Sequence, residues 1–145
     1  MGYLIGLILF SWFSIAERSP LMDLALEVRA EVDLVLSAQA TLHKAFVDLN
    51  DDRIEIATRD LLGALDKAEQ STRFLKWHEQ QHLFRILSSA KNFLIKGQTT
   101  LGEERREAYR EVFNQIANLV RIYQVNPDYN IFFCDKEKIE WVQSR

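Results

Sequence analysis

Two histidines four residues apart form the clearest chemical pattern in this sequence. Residues 78–82 read HEQQH, so His78 and His82 flank Glu79 in the order His-Glu-x-x-His. Residues four apart share one face of a helix, so the two imidazoles could bind one zinc ion while the glutamate polarises a water molecule. The pattern therefore raises the hypothesis of a zinc metallopeptidase.

Such an enzyme also needs a third zinc ligand downstream and a sheet beside the helix to hold the substrate. No histidine follows His82, and the remaining histidine, His43, lies far upstream. Relative to the apolar stripe that begins at Leu83, His82 lies at the margin and His78 farther out, as expected for surface side chains. We interpret the match as fortuitous and predict that the protein is not an enzyme, with a metallopeptidase as the weaker alternative.

The single cysteine, Cys134, is the second candidate for chemistry. Such a thiol can act as a small buried apolar residue, or it can form an intermolecular disulfide in an exported protein. As a thiolate completed by a histidine, it would select a soft or borderline ion such as copper or zinc. In that interpretation Cys134, His82 and His78 are the candidate metal ligands.

Composition excludes several other classes of cofactor and partner. Eighteen basic residues against 21 acidic ones give a net charge of −3, so we expect no nucleic acid partner. One cysteine excludes an internal disulfide, an iron–sulfur cluster and a Cys-rich zinc site. There is no Cys-x-x-Cys-His motif for haem, and a di-iron bundle needs Glu-x-x-His on two helices, which the sequence does not provide.

The first sixteen residues, MGYLIGLILFSWFSIA, carry no charged side chain. Their apolar run is shorter than the ~20 residues of a transmembrane helix, and Ser14-Ile15-Ala16 has small residues where a signal peptidase cleaves. We predict that residues 1–16 are a signal peptide, that the mature chain begins near Glu17, and that the protein is exported to the periplasm. Alternatively, the segment stays uncleaved as a short anchor, which would be the protein's only membrane contact.

The rest of the chain is predicted to contain four amphipathic helices, because apolar residues recur at helical spacing. The first helix is expected to open with Ser19 as N-cap and Pro20 at its first position. Its apolar stripe has a gap at Gln39. Asn50-Asp51-Asp52 is predicted to end this helix and to cap the second one.

The boundaries between the second, third and fourth helices are predicted from capping residues and a glycine. The second and third helices are expected to meet near Ser71-Thr72, although a single bent helix is an alternative. Lys96-Gly97 is predicted to end the third helix, with the glycine just past the last turn, and Thr100 with Glu103 to form a capping box for the fourth. Four such helices with short turns predict an all-α fold, an antiparallel up-down four-helix bundle.

The C-terminal tail, residues 126–145, differs in character from the helices. Asn126-Pro127-Asp128 is expected to end the fourth helix, and aromatic and β-branched residues then flank a polar turn, which predicts an extended arm or a short hairpin. Phe132, Phe133 and Trp141 are too apolar to extend into water, so we expect the tail to dock on the end of the bundle. Residues 17–145 are thus predicted to form one domain.

The tail, with the run from Tyr129 to Cys134 and the closing Trp141-Val142-Gln143, resembles the bacterial domain of unknown function 3347 family. A first helix that ends in Leu42-His43-Lys44-Ala45-Phe46 and the Asn-Asp-Asp break after it agree with the resemblance. That family pairs an exported helical bundle with a tail segment of the type aromatic-Cys-Pro-Met, and it occurs alone or fused to periplasmic adaptors of heavy-metal efflux systems. This chain has Cys134-Asp135-Lys136 instead. The resemblance implies a helical bundle, export, and Cys134 as a metal ligand complemented by a histidine.

Two functions stay open from the sequence. The first is an exported, non-catalytic bundle that binds copper or zinc through Cys134 and a histidine in envelope metal handling. The second is a metal-free module that recognises another protein of the cell envelope through its aromatic tail or a helix face. In the second case Cys134 serves packing alone.

Overall fold

A computed structural model describes residues 20–145 of the chain. Over this range the chain is mainly helical, with four helices, a short 3-10 turn and two small strand pairs. In chain order the elements are β1 (Met22–Asp23), α1 (Leu26–Val47), α2 (Asp51–Ser71), the 3-10 turn (Thr72–Phe74), α3 (Trp77–Thr99), α4 (Gly102–Ile122), β2 (Tyr123–Gln124), β3 (Tyr129–Cys134) and β4 (Ile139–Ser144). The predicted signal peptide lies outside the described residues. In the described part of the chain, no helix is long and apolar enough to span a membrane.

The helices pack mainly in sequential pairs around one core. α1 packs against α2 and α3 against α4, with a smaller contact between α2 and α3. The large side chains on the inward faces of the helices fill the centre and are almost completely buried. Among them are Leu36, Leu42, Leu61, Leu65, Leu83, Leu87, Leu94, Phe113, Ile116 and Leu119. The apolar periodicity of the sequence therefore identified the core-facing side of each helix.

Part of the α2–α3 contact is ionic. The ammonium of Lys91 on α3 lies 3.0 Å from Oδ1 of Asp66 and also bonds Oε2 of Glu69, both on α2. The hydrogen bond from Lys91 to Glu69 raises the pKa of the lysine above its usual value of 10.5. Glu69 is nearly buried, so this cation offsets the cost of burying its carboxylate.

The C-terminal hairpin fills the space between α1 and α4, which scarcely touch each other directly. β3 and β4 pair antiparallel, with Ile131 opposite Val142, and β4 packs against both helices. The hairpin was predicted, but it lies along the flank of the two helices and not on the end of the bundle. Phe132 and Phe133 remain substantially exposed, whereas Val142 is fully buried.

A buried glutamine fixes the hairpin to α1. Gln39 is 0% exposed, and its Oε1 accepts a hydrogen bond of 2.9 Å from the backbone N–H of Val142. This N–H points out of the two-stranded sheet and has no partner strand on that side. The Gln39 side chain supplies the acceptor that the buried N–H of Val142 needs. The gap that Gln39 makes in the apolar stripe is thus the attachment point of the tail.

The first helix begins later than predicted. Residues 20–25 lie outside α1. Within them Met22–Asp23 form β1, which runs parallel to β2 with Met22 opposite Tyr123, and this pairing satisfies backbone groups without a helix. α1 starts at Leu26 after Ala25, whose methyl side chain cannot cap it. Pro20 is therefore not the first residue of a helix.

By contrast, the predicted cap of α2 is confirmed, since Oδ1 of Asn50 accepts a 2.9 Å hydrogen bond from the N–H of Arg53.

The predicted junction between α3 and α4 was also wrong in detail. α3 continues through Gly97 to Thr99, and a Cβ on Gly97 would lie 3.0 Å from a ring carbon of Tyr109. The glycine therefore allows α4 to approach and does not end the helix. Thr100 donates its hydroxyl to the Lys96 carbonyl at 2.8 Å and does not cap α4, so the predicted capping box is not formed.

Candidate functional site

A groove opens where the end of α1, the start of α4 and the hairpin turn meet. Its volume is about 730 Å³, within the usual range for ligand sites. Twelve residues line it: His43, Phe46, Val47, Leu49, Gly102, Arg105, Arg106, Tyr109, Arg110, Phe113, Glu137 and Ile139. The three contributing elements are far apart in sequence, so the groove exists only because the hairpin is fixed between the helices.

Aromatic rings form the apolar wall of the groove. The ring of Phe46 meets that of Tyr109 edge-on with centroids 4.9 Å apart, and that of Phe113 edge-on at 6.2 Å. The hydroxyl groups of Tyr109 and Thr58 share a buried hydrogen bond of 3.3 Å. Because Tyr109 is held by this bond and by Phe46, the wall is preorganised for an apolar group.

His43 connects this wall to the hairpin. Its imidazole stacks on the indole of Trp141 with centroids 4.5 Å apart and planes 10° apart, and it meets the ring of Phe113 edge-on. Burial lowers the pKa of His43 below its usual value of about 6.5. The imidazole is therefore neutral at pH 7, and the charge of the groove comes from other residues.

Three arginines on α4 and one glutamate of the hairpin turn, Glu137, line the groove. Arg106 pairs with Glu103, and Arg110 pairs with Glu107. Arg105 lies over the Tyr109 ring, with its guanidinium carbon 5.8 Å from the centroid, and makes no ion pair with the described side chains. An exposed guanidinium beside an aromatic wall is suited to a ligand that combines a carboxylate with an apolar side chain.

The predicted metal ligands do not line the groove. His78 and His82 lie on exposed positions of α3, and Nδ1 of His82 is 2.8 Å from the Tyr123 hydroxyl, just past the end of α4. Cys134 is half-buried in β3 opposite Ile139, which lines the groove beside the start of α4.

Glu140, next to Ile139 in β4, pairs with Arg121 near the end of α4, so the hairpin reaches along this helix. Within residues 20–145, no hydrogen bond or ring contact joins Cys134 to His82 or His78. Among the described residues, no three His, Cys, Asp or Glu side chains are placed to hold a metal ion.

Sequence patterns give only a weak signal for the groove residues. In the sequence, His43 is an isolated histidine and Arg105 is one member of the charged run at 103–107. Only the long-range contacts of Trp141 and Tyr109 distinguish them.

No family model matches the chain, and searches of curated proteins and of solved structures find no match.

Proposed function

We propose that this chain is an exported, non-catalytic binding module whose groove receives an acidic, partly apolar segment of another envelope protein. The proposal includes periplasmic location, based on residues 1–16. It also takes the four helices as an antiparallel up-down bundle, which the short connections between successively packed helices support.

The observation that carries the proposal is the position of Arg105. Its guanidinium lies over Tyr109 at the edge of an aromatic wall, without an ion-pair partner within the described residues. A carboxylate of the partner would bind this cation, and a neighbouring large side chain would cover Phe46. Val47 and Leu49, which also line the groove, are 66% and 87% accessible and give room for several residues of an extended peptide.

The predicted copper or zinc site gains no support from the described residues, because their His, Cys, Asp and Glu side chains form no group of three placed to hold an ion. The resemblance to the domain of unknown function 3347 family stays a prediction. The class of protein that it implies is an exported helical bundle. A binding module agrees with that class without requiring a metal ion.

The test compares two short fluorescent peptides by polarisation at pH 7.5. One has the sequence Phe-Glu-Leu-Asp, and the other, Phe-Gln-Leu-Asn, has the same shape without charge. We expect the acidic peptide to bind more tightly and Arg105→Gln to weaken its binding about fivefold, as the loss of one exposed charge-assisted contact worth about 1 kcal/mol. Arg59→Gln is the matched control, since Arg59 is an exposed helical arginine on α2 that pairs with Glu55 outside the groove.

Equal affinity for the two peptides would contradict the role of charge. Binding that Arg105→Gln leaves unchanged would contradict the site. If neither peptide binds at millimolar concentration, the groove does not recognise acidic apolar segments and the proposed function is wrong.

A further inference from the structure

The outer strand of the hairpin, β3, has one edge without a partner strand among the described residues. β4 pairs with its other edge and packs against α1 and α4, whereas β3 makes only a small contact with α4. The pairing of β3 with β4 runs from Tyr129 to Cys134 without a bulge. β3 also contains no charged residue and no proline, so it lacks the features that commonly protect an edge from pairing.

The ladder with β4 shows which backbone groups of β3 point outward. The N–H of Arg145 donates to the Asp128 carbonyl at 3.1 Å, and this bond continues the register of the two strands. Hydrogen-bonded and non-hydrogen-bonded pairs alternate along an antiparallel ladder, so the N–H and C=O groups of Ile131 and Phe133 point away from β4. The N–H of Val142, which lies opposite Ile131, likewise leaves the sheet on the side of α1.

These outward groups are left for a further strand. Within residues 20–145, the N–H groups of Ile131 and Phe133 donate to no backbone carbonyl outside the hairpin ladder. By contrast, the N–H of Tyr129 already donates to the Asn126 carbonyl at 3.1 Å. The free donors of this edge are therefore the N–H groups of Ile131 and Phe133, with their carbonyls beside them.

One antiparallel register lets a second copy of β3 satisfy all of these groups. With Phe132 opposite Phe132 of the second copy, Ile131 lies opposite Phe133 of that copy, and each N–H meets a C=O. A register centred on Ile131 would need the N–H of Tyr129, which is already bonded. A register centred on Phe133 would extend past Cys134 into the turn, where β3 has ended.

The same register brings opposite charges together at both ends of the paired strands. Lys136 in the hairpin turn and Asp128 before β3 are equally far from Phe132 along the chain, so each lies beside the other on the neighbouring copy. Both side chains are exposed, and neither belongs to an ion pair among the described residues. The two-fold symmetry repeats the contact, so the charges of β3 and its turn favour a second copy of this chain as the partner.

A row of aromatic rings on the hairpin ends at this edge. The rings of His43 and Trp141 stack with centroids 4.5 Å apart, and those of Trp141 and Phe132 stack with centroids 5.7 Å apart. Phe132 ends the row and is 40% exposed. In the register centred on Phe132, the two Phe132 residues occupy a closely spaced non-hydrogen-bonded position, so their rings cover each other.

We propose that the protein forms a two-fold symmetric dimer in which the β3 edges of two copies pair antiparallel, centred on Phe132. The two hairpins then form one four-stranded sheet with the strand order β4-β3-β3-β4. The assembly closes at two copies because each outer β4 lies against its own helices, where the Val142 N–H is bonded to Gln39. This inference concerns a strand edge and does not rest on the proposed function, so either can fail without the other.

The first test uses disulfide cross-linking of the full chain to determine the register. In a Cys134→Ser background, Phe132→Cys places two thiols opposite each other, with Cα atoms about 4.5 Å apart, within the range of a disulfide. Phe133→Cys is the matched control, because Phe133 is also exposed but its two copies would lie diagonally, with Cα atoms about 9 Å apart. With oxidised glutathione, we expect Phe132→Cys to form a covalent dimer and Phe133→Cys to stay mainly monomeric under denaturing conditions.

The second test reverses a charge and measures the dissociation constant of the dimer by sedimentation equilibrium. Lys136→Glu replaces two symmetric attractions to Asp128 by repulsions, so we expect the dissociation constant to rise about tenfold at low salt. Adding Asp128→Lys to this variant should restore the affinity. Lys67→Glu is the matched control, since Lys67 is an exposed lysine on α2, and it should leave the dissociation constant unchanged.

Three results would overturn the inference. The first is cross-linking of Phe132→Cys that is no greater than that of Phe133→Cys. The second is a monomeric mass of the wild-type chain at millimolar concentration, which would leave the β3 edge to a strand of a different protein. The third is a double variant, Lys136→Glu with Asp128→Lys, that dimerises no better than Lys136→Glu alone.

Discussion

Replacing Gln39 by leucine should loosen the hairpin more than any single change on the hairpin surface. The side chain is 0% exposed, and its Oε1 accepts the only hydrogen bond that joins α1 to β4 among those described. Leucine keeps nearly the same volume, so Gln39→Leu removes the acceptor without opening a large cavity. The backbone N–H of Val142 is then left buried without a partner.

The magnitude follows from two opposing contributions. Leaving a buried N–H without its acceptor costs about 1–3 kcal/mol, a range that already includes the lost hydrogen bond. Against this, Nε2 of Gln39 is buried without a hydrogen-bond partner among the described residues, so removing it recovers part of the cost of burying a polar group. We expect a net loss of about 1 kcal/mol in the free energy of unfolding, or about 4 °C in Tm.

The assay combines thermal unfolding, followed by circular dichroism, with amide hydrogen exchange of β4. Gln39→Leu should lower Tm and accelerate exchange at Val142 and its neighbours more than in the helix cores, since local opening of the hairpin becomes easier. Gln98→Leu, a change at an exposed position of α3, is the control and should alter neither. A variant as stable as the wild type, with unchanged exchange at Val142, would refute the reasoning.

Three further predictions concern packing and charge. Gly97→Ala should destabilise the protein by about 1 kcal/mol in urea unfolding, because the new Cβ would lie 3.0 Å from the Tyr109 ring. Gly63→Ala should stabilise it by about 0.5–1 kcal/mol, because a Cβ there would have no atom within 4 Å. Burial lowers the pKa of His43, so stability that is fully present above pH 6.5 should fall as the pH drops below 6.5; His43→Phe should remove that component in calorimetry. Lys91→Met should cost about 2 kcal/mol at pH 7 and less as the pH rises above 10.5, because the raised pKa of the lysine makes its contribution complete below 10.5 and lost as the pH passes the folded value. A Gly97→Ala protein more stable than wild type, an unchanged pH profile in His43→Phe, or a cost of Lys91→Met that does not fall at alkaline pH would contradict them.

Much of the secondary structure could be predicted from local signals. Apolar periodicity identified four helices, Asn50 was confirmed as a cap, and aromatic and β-branched residues on both sides of a polar turn indicated the hairpin. These signals act between neighbours in the sequence. The errors came where a distant segment decided the local structure: the pairing of Met22 with Tyr123 kept residues 20–25 out of α1.

The candidate site was harder to predict because its contacts are long-range. Gln39 and Val142 are 103 residues apart in the sequence, and a polar residue in an apolar stripe resembles any other interruption. Likewise, Arg105 belongs to a run of exposed charges, and only the fold shows that it lies over Tyr109 without a carboxylate partner among the described residues. Conversely, the histidine pair and the cysteine gave conspicuous patterns, yet no hydrogen bond or ring contact within the described residues joins the cysteine to the pair.

The most direct test of the proposed function is an amide-shift titration of isotope-labelled protein with the acidic and the neutral peptide. The proposal predicts that Phe-Glu-Leu-Asp shifts resonances around Phe46, Arg105 and Tyr109, and that Phe-Gln-Leu-Asn shifts them far less. No shifts in this groove, or shifts centred on His82 at the other end of α4, would contradict it.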